Sequence, residues 1–254
     1  MDFSKLVFAV DGDSITAYNQ WSYHVYKTLG FKEHVNIAVG SSVWYKKRIN
    51  TPVGIMTAQD YNDPNFAGIS DGWEPTEDVV ELQKRLNNCA IVHVQKYISD
   101  IKKGILPTPD VFAFAFGTND ELDCLGDADK SLTGKSLIDN ENINLHTVAG
   151  AMRWCLQTIY EEFPNVRVFV LTPIQSATPE RNVKNMKLIN QVLKPIAGAF
   201  CAQVVDCYNN SGIIEKFEVI DGQGKYLLDG LHPAYNGQEL QGKYVSKEIK
   251  NNIF

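Results

Sequence analysis

The sequence lacks the features of a membrane protein, of a disulphide-bonded scaffold and of a nucleic-acid-binding protein. No apolar run is long enough to span a bilayer. The five cysteines are widely spaced and form no C-x-x-C pair, which argues against a disulphide framework or a zinc site. The net charge is −6, and the one dense basic run, Lys46–Arg48, is typical of a solvated loop. We therefore expect no membrane and no nucleic-acid partner.

The chain also lacks internal repeats, low-complexity tracts and linkers that would divide it. Its 254 residues, 44% of them hydrophobic, suffice for one domain with a sizeable core. We predict a single domain over residues 1–254, with a long loop insertion at about residues 41–88. The first predicted strand begins close to Met1, which leaves no room for a signal peptide. We expect a cytoplasmic protein if this chain is complete and an exported one if a leader was removed, and the oligomeric state stays open.

Short apolar runs alternate with amphipathic segments along the chain. Runs that are apolar on both faces are typical of a parallel sheet covered by helices. Five such runs are predicted as strands: Leu6–Val10, Val35–Val39, Val111–Phe116, Val166–Leu171 and Gln203–Asp206. Helical spacing predicts helices over Ala17–Leu29, Cys89–Lys103, Ile143–Phe163, Glu180–Phe200 (with a kink or break at Pro195) and Tyr235–Lys250. The alternation predicts a three-layer α/β/α fold.

Two long segments fall outside this alternation. Residues 41–88 are rich in Asp, Asn, Pro, Gly and aromatic residues, and residues 120–140 form a second polar loop. Long loops in a compact domain are usually functional or disordered, and the aromatic residues argue against disorder. Trp44, Tyr45 and Trp73 are candidates for substrate binding, since aromatic faces stack on sugar rings. The alternative is that they form a small core that holds the loop together, so the loop is either a lid or a structural segment.

One serine follows the first predicted strand. The apolar run ends at Asp-Gly-Asp-Ser, which places Ser14 in the loop where open α/β sheets bind ligands, at a predicted helix start. Unpaired N–H groups at such a position favour developing negative charge. Taken alone, Ser14 also fits a helix N-cap, Gly40 a turn glycine and Asn119 an Asx turn.

Together with a histidine and an aspartate near the C-terminus, these residues satisfy the needs of nucleophilic acyl transfer. The reaction requires a hydroxyl, a base, a group that orients the base, and donors for an oxyanion. His232 can be the base for Ser14, and Asp229 can accept a hydrogen bond from the imidazole Nδ1. The N–H groups of Ser14 and Gly40 and the Asn119 amide can converge on one oxyanion, because all three follow strands that should be adjacent.

The same residues lie in four motifs: Gly-Asp-Ser-Ile-Thr near the N-terminus, Gly40 after the second strand, Gly-x-Asn-Asp after the third, and Asp-x-x-His-Pro near the C-terminus. In this order the motifs resemble those of the SGNH (GDSL-type) hydrolase superfamily. The resemblance implies a flavodoxin-like fold with a five-stranded parallel sheet, and esterase, lipase or carbohydrate deacetylase activity. It makes Ser14 the nucleophile, His232 the base and Asp229 its orienting acid, with Ser14, Gly40 and Asn119 as the oxyanion hole. The long segment after Gly40 departs from the family pattern.

These features favour an esterase that needs no metal or organic cofactor and acts on a small polar ester, with an O-acetyl group on a carbohydrate preferred. The absence of a G-x-S-x-G elbow argues against the α/β-hydrolase fold. Asp13 and Asp120 are interpreted as loop-bracing residues. The other histidines are interpreted as packing or surface residues: His24, His34, His93 and His146.

Two alternatives remain open. The segment Phe8–Asp13 also looks like the strand and Asp-x-Asp motif of haloacid-dehalogenase-type phosphatases, in which Asp11 would be the nucleophile and Asp13 the acid beside Mg²⁺. A non-catalytic glycan-binding module on the same fold is the second alternative.

Overall fold

A five-stranded parallel sheet lies at the centre of the protein. The computed structural model describes residues 2–51, 54–57, 84, 86–133, 143–181 and 183–253. Its strands are β1 (Val7–Gly12), β2 (Glu33–Asn36), β3 (Arg48–Thr51), β4 (Gly54–Thr57), β5 (Val111–Ala115), β6 (Arg167–Leu171) and β7 (Gln203–Val205). The sheet order is β2-β1-β5-β6-β7, and every neighbouring pair is parallel. When the five strands of this sheet are renumbered in chain order, the order is 2-1-3-4-5, as in flavodoxin-like folds.

Helices cover both faces of the sheet. They are α1 (Trp21–Leu29), α2 (Ala90–Lys102), α3 (Ala128–Ser131), α4 (Val148–Glu162), α5 (Val183–Ala199), α6 (Cys207–Asn210) and α7 (Tyr235–Asn252). One core contains buried side chains of α2, α4 and α5, and a second core on the other face contains those of α1 and α7. The predicted three-layer α/β/α fold is therefore confirmed.

The first strand shows why an all-apolar run suits this position. Every residue of β1 is buried. Val7 and Ala9 contribute to one core, and Phe8 and Val10 contribute to the other, because successive side chains of a strand point to opposite faces. Both faces of the strand are thus removed from water by helices.

Several predicted boundaries differ from the structure. The strand predicted over Val35–Val39 is β2 at Glu33–Asn36, and the segment after it forms the turn that contains Gly40. The helix predicted from Ala17 begins at Trp21, after a 3-10 turn over Ala17–Asn19. The helix predicted from Ile143 begins at Val148, where the Thr147 hydroxyl accepts a hydrogen bond from the Gly150 N–H.

Pro195 does not break its helix. α5 continues through it to Ala199. The neighbouring Leu193, Ile196 and Ala197 are buried in the core. Their burial stabilises the last turn, where a missing N–H removes only one hydrogen bond.

The predicted insertion at 41–88 is only partly described. Within it, β3 and β4 pair as an antiparallel hairpin, so this part is not a plain loop. Residues 58–83, with Trp73, lie outside the described residues. Among the described helices, none is long and apolar enough to cross a membrane.

Candidate active site

The candidate site lies at the carboxyl edge of the sheet. β1 ends at Gly12 and leads to Ser14, the turn after β2 contains Gly40, and β5 leads to Asn119. Because β2, β1 and β5 are neighbours in the sheet, these three loops lie side by side.

Gly12 allows the Ser14 loop to lie close to the end of β5. A Cβ at this position would lie 2.6 Å from the Ala115 carbonyl oxygen, which is too close for any side chain. The loop is fixed by side chains that bond its carbonyls: Gln20 donates to the Ser14 oxygen and Asn36 to the Thr16 oxygen.

Ser14 occupies a turn rather than a helix N-terminus, because α1 begins only at Trp21. Its hydroxyl caps no helix. Instead the Ser14 Oγ lies 2.9 Å from His232 Nε2. The helix dipole expected to act on developing charge is thus absent here, and individual N–H groups would have to replace it.

His232 and Asp229 continue the chain that begins at Ser14. The His232 Nδ1 lies 2.8 Å from Asp229 Oδ2. If Nδ1 carries the ring proton and donates it to the carboxylate, Nε2 is left to accept from the Ser14 hydroxyl. Burial opposes the charge of Asp229, but hydrogen bonds from the backbone N–H and the ring of His232 outweigh it and lower the pKa of Asp229.

Hydrogen bonds between the Asp229 side chain and backbone N–H groups of the same loop fix the loop that carries Asp229 and His232. Asp229 Oδ1 accepts hydrogen bonds from the N–H groups of Leu231, at 3.0 Å, and His232, at 2.7 Å. Gly230 has a φ of +78°, and a Cβ there would lie 2.7 Å from the Val219 carbonyl oxygen. Glycine is therefore required by both conformation and space.

Two backbone N–H groups and one side-chain amide are the candidate oxyanion donors. Among the described residues, the N–H groups of Ser14 and Gly40 have no hydrogen-bond partner. A Cβ built on Gly40 would lie 3.9 Å from the Ser14 Cβ, so the two backbones are close. Asn119 Nδ2 donates one hydrogen bond to the Ser42 oxygen, which leaves its second N–H, and Arg181 donates to Asn119 Oδ1 at 3.1 Å. Arg181 thereby fixes which end of the amide is the donor.

Two buried carboxyl groups support these loops. Asp13 accepts a hydrogen bond from the Ile15 N–H and Asp120 one from the Trp44 N–H. Burial raises the pKa of Asp13 to about 6 and that of Asp120 to about 8. Their hydrogen bonds to backbone N–H groups agree with the bracing interpretation.

A cleft of about 400 Å³ opens beside Asn119. Its wall contains polar side chains of Glu180, Arg181 and Asn185 together with the apolar Leu122 and Met186. The cleft therefore offers both donors and acceptors next to the candidate oxyanion donor.

Of the aromatic residues proposed for substrate binding, Trp44 and Tyr45 lie in the core rather than at this cleft. Trp44 is fully buried against Phe114 and Phe116, with ring centroids 5.2 and 4.9 Å apart, and Tyr45 is 4% exposed. Both belong to the core because burying large aromatic rings removes much apolar surface from water. Of the three, Trp73 lies outside the described residues.

Sequence reasoning missed His93 and Asn88. His93 was expected to be a surface or satisfied packing histidine; it is largely buried, and the partner that the sequence did not reveal is the fully buried carboxyl of Asp11, 2.9 Å from its Nδ1. Its Nε2 lies 3.3 Å from Asn88 Oδ1, and Asn88 donates to the Gly40 oxygen. The feature of the sequence that could have revealed the partner is Asp11, since an acid within an apolar strand needs a buried partner.

The phosphatase alternative is not supported by the placement of its two acids. Asp11 and Asp13 are 0% and 1% exposed, so a phosphate ester cannot reach either carboxyl group. In the described part of the chain, one group has metal-ligand atoms within 4.8 Å of one another, Glu121, Asp123 and Cys124. Its two carboxylates are exposed, as is common on protein surfaces, and we assign it no ion.

Comparison with known proteins identifies the fold. No protein-family model and no curated protein matches the sequence. The structure is similar to that of a "possible lipase" from Chitinophaga pinensis, with a TM-score of 0.60, 15% identity and coverage of 97% of this chain and 98% of that one. It is also similar to a protein of Bacteroides ovatus described as a GDSL-like lipase, with a TM-score of 0.54, 14% identity and coverage of 98% and 99%. A third similar structure is TesA, with a TM-score of 0.51, 14% identity and coverage of 96% and 98%. The chain therefore has the three-layer fold of the GDSL-like (SGNH) hydrolases.

Proposed function

We propose that the protein is a serine esterase. The observation that carries the proposal is the hydrogen-bonded chain from Ser14 Oγ through His232 to Asp229. It lies beside the N–H groups of Ser14 and Gly40, which have no hydrogen-bond partner among the described residues. A nucleophile, a base, an orienting acid and oxyanion donors thus meet in one place, which is the combination that acyl transfer needs.

In the first step the Ser14 Oγ attacks the ester carbonyl carbon while His232 Nε2 takes the hydroxyl proton. The carbonyl oxygen gains negative charge, which the N–H groups of Ser14 and Gly40 and the Asn119 amide stabilise. Asp229 stabilises the imidazolium that forms. When the tetrahedral intermediate collapses, the C–O bond to the alcohol breaks and His232 returns the proton to the leaving oxygen.

In the second step a water molecule attacks the acyl group on Ser14. His232 takes the proton of the water, and the same donors stabilise the second oxyanion. Collapse breaks the bond to the Ser14 Oγ, releases the carboxylic acid and restores the serine hydroxyl. Apart from the ester and this water molecule, these steps use only groups of the chain.

The substrate we propose is a small polar ester, with an O-acetyl group on a carbohydrate preferred. The cleft beside Asn119 supports this class, because its guanidinium, amide and carboxylate groups can bond sugar hydroxyls while Leu122 and Met186 contact apolar faces of a ring. The acetyl group is the small acyl part of the ester, so the site needs little volume beside Ser14 to hold it.

The test compares p-nitrophenyl acetate with its butyrate and octanoate analogues, for the wild-type protein and for Ser14→Ala. We expect the acetate ester to be preferred and Ser14→Ala to lower kcat by at least about 10³-fold, since the remaining donors retain some catalysis without the nucleophile. Ser99→Ala, the same substitution on α2 away from Ser14, is the matched control. Wild-type turnover no faster than that of Ser14→Ala would overturn the proposal.

Acetate release from O-acetylated xylan tests the substrate class separately. Activity on the nitrophenyl esters without acetate release from any acetylated sugar would retain the esterase and reject the carbohydrate. Binding of a glycan with no hydrolysis over hours would favour the binding module.

A further inference from the structure

Asp11 is the one acid of β1, and none of the proposed catalytic steps uses it. Its Oδ1 accepts a hydrogen bond from the Gly12 N–H and lies 2.9 Å from His93 Nδ1. The His93 side chain, on α2, is only 9% exposed. Removing a carboxyl group and an imidazole from water costs free energy that their pairing only partly offsets, so we expect the pair to have a role other than stability.

The pair is connected to Gly40 through Asn88. The Gly40 oxygen can only accept, so Asn88 Nδ2 donates to it, at 2.8 Å. The Asn88 Oδ1 therefore faces His93 Nε2, at 3.3 Å, and Nε2 must donate. His93 Nδ1 then shares one proton with the Asp11 carboxyl group. Each donor and acceptor from the Gly40 oxygen to His93 Nε2 is thereby fixed.

Gly40 is a residue whose backbone needs such restraint, because glycine has no side chain to limit rotation. Two peptide groups flank its Cα. The Val39 oxygen, in the same peptide plane as the Gly40 N–H, accepts from the Ser42 N–H at 3.4 Å and lies close to the Ser42 hydroxyl, which also lies 2.8 Å from the Gly12 oxygen. The Gly40 oxygen, in the next plane, accepts from Asn88. The next residue, Ser41, has a φ of +63°, a conformation that residues other than glycine rarely adopt, so the backbone of the turn is strained.

We propose that Asp11, His93 and Asn88 are positioning residues that hold the Gly40 N–H toward the oxyanion, and this inference rests on the proposed esterase function. The three residues touch neither the substrate nor the reacting atoms. Asn88 holds the Gly40 carbonyl, His93 holds the Asn88 amide in one orientation, and Asp11 holds the His93 ring in place through Nδ1.

The direct test is Asn88→Asp, measured by kcat and KM on p-nitrophenyl acetate. The substitution preserves size and still accepts from His93 Nε2, but it places a carboxylate oxygen against the Gly40 oxygen in place of a donor. We expect kcat to fall by at least about tenfold while KM changes less than about twofold, since oxyanion stabilisation acts in the transition state rather than on the bound ester. Asn87→Asp, the adjacent residue with the same change of charge, is the matched control and should leave both constants unchanged.

A second pair of variants separates positioning from stability. In His93→Gln the side-chain amide can still donate to Asn88 Oδ1, whereas His93→Leu cannot. Both leave Asp11 without its partner, so both should lower the thermal midpoint. We expect kcat of His93→Gln to stay within about threefold of wild type and that of His93→Leu to fall at least about tenfold. Equal kcat in the two variants would assign His93 a purely structural role and overturn its part in the proposal.

The reaction of Ser14 with diethyl p-nitrophenyl phosphate distinguishes this proposal from the esterase proposal. Wild-type protein that hydrolyses no ester and is not phosphorylated at Ser14 overturns both. Wild-type protein that reacts, together with an Asn88→Asp variant whose kcat and phosphorylation rate match those of Asn87→Asp, overturns the positioning proposal alone. A loss in both rates specific to Asn88→Asp supports it.

Discussion

At the scale of single residues, the chemistry depends on which atom of each polar side chain faces which partner. Ser14, His232 and Asp229 form one hydrogen-bonded chain because the Asp229 carboxylate uses one oxygen for the loop backbone and the other for the ring. The sequence identified all three through their motifs. It could not identify Asn88, because an asparagine in a polar loop has no distinguishing neighbours, and its partner Gly40 is far away along the chain.

Asp229→Asn is the sharpest test of the role of the acid. An asparagine has the size to keep the contacts with the His232 N–H and with Nδ1. Because its amide N–H would donate to Nδ1, the ring proton would lie on Nε2, which could then not accept from the Ser14 hydroxyl. We expect kcat on p-nitrophenyl acetate to fall by about 10²–10⁴-fold, as the same change does in serine proteases. Asp123→Asn, on the exposed 3-10 turn after Asn119, is the control. A kcat within tenfold of wild type would show that His232 does not need its acid partner.

At the scale of elements, the site depends on a turn that contains a glycine with a positive φ. The segment from Leu227 to Pro233 closes on itself: the Leu228 N–H donates to the His232 oxygen, and Leu227 and Pro233 form a β-bridge. Gly230 lies at the centre of this turn, against the Val219 carbonyl. The sequence placed these residues before the last helix but gave no sign that residues 219–220 pack against them.

Gly230→Ala should therefore lower both stability and activity. A left-handed φ for alanine costs about 1 kcal/mol, and the contact with the Val219 oxygen must also open, which should bring the loss to about 2–3 kcal/mol and shift the loop. We expect a lower midpoint of thermal unfolding and a lower kcat. The control is Gly104→Ala, where φ is +71° but no atom lies within 4 Å of the added Cβ. Equal losses of stability in the two variants would show that the Val219 contact has no effect.

At the scale of the whole molecule, the three-layer arrangement places acids in the core beside the site. Asp13 and Asp120 lie under the loops that follow β1 and β5, and burial raises the pKa of both groups. The alternation of apolar runs predicted the layers, because strands buried on both faces must be apolar throughout. The long loops were predicted less well, since part of 41–88 forms a hairpin and its aromatic residues Trp44 and Tyr45 enter the core.

These buried acids make stability depend on pH. The pKa of Asp120 is about 8 in the folded protein, against about 3.9 when unfolded. Between these values the folded state retains a proton that the unfolded state releases, so the free energy of unfolding falls as the pH rises, by about 1.4 kcal/mol per pH unit. Asp13 adds to this slope up to about pH 6.

Asp120→Asn should reduce this dependence. Its amide oxygen can still accept from the Trp44 N–H, but it binds no proton. Thermal midpoints at pH 5, 6 and 7 should therefore rise in the variant relative to the wild type by about 2–4 °C per pH unit. A difference between the two proteins that stays constant over this range would show that Asp120 does not titrate there.

The sequence by itself determined the layers of the fold, the loops that carry Ser14, Gly40, Asn119, Asp229 and His232, and the pairing of Asp229 with His232. These depend on local patterns: apolar runs, turn residues and short spacings. Only the tertiary structure decided that Trp44 is core, that α5 continues past Pro195, and that Asp11 reaches Gly40 through His93 and Asn88. Such outcomes depend on contacts between residues far apart in the chain, where burial and hydrogen bonding override what each segment prefers alone.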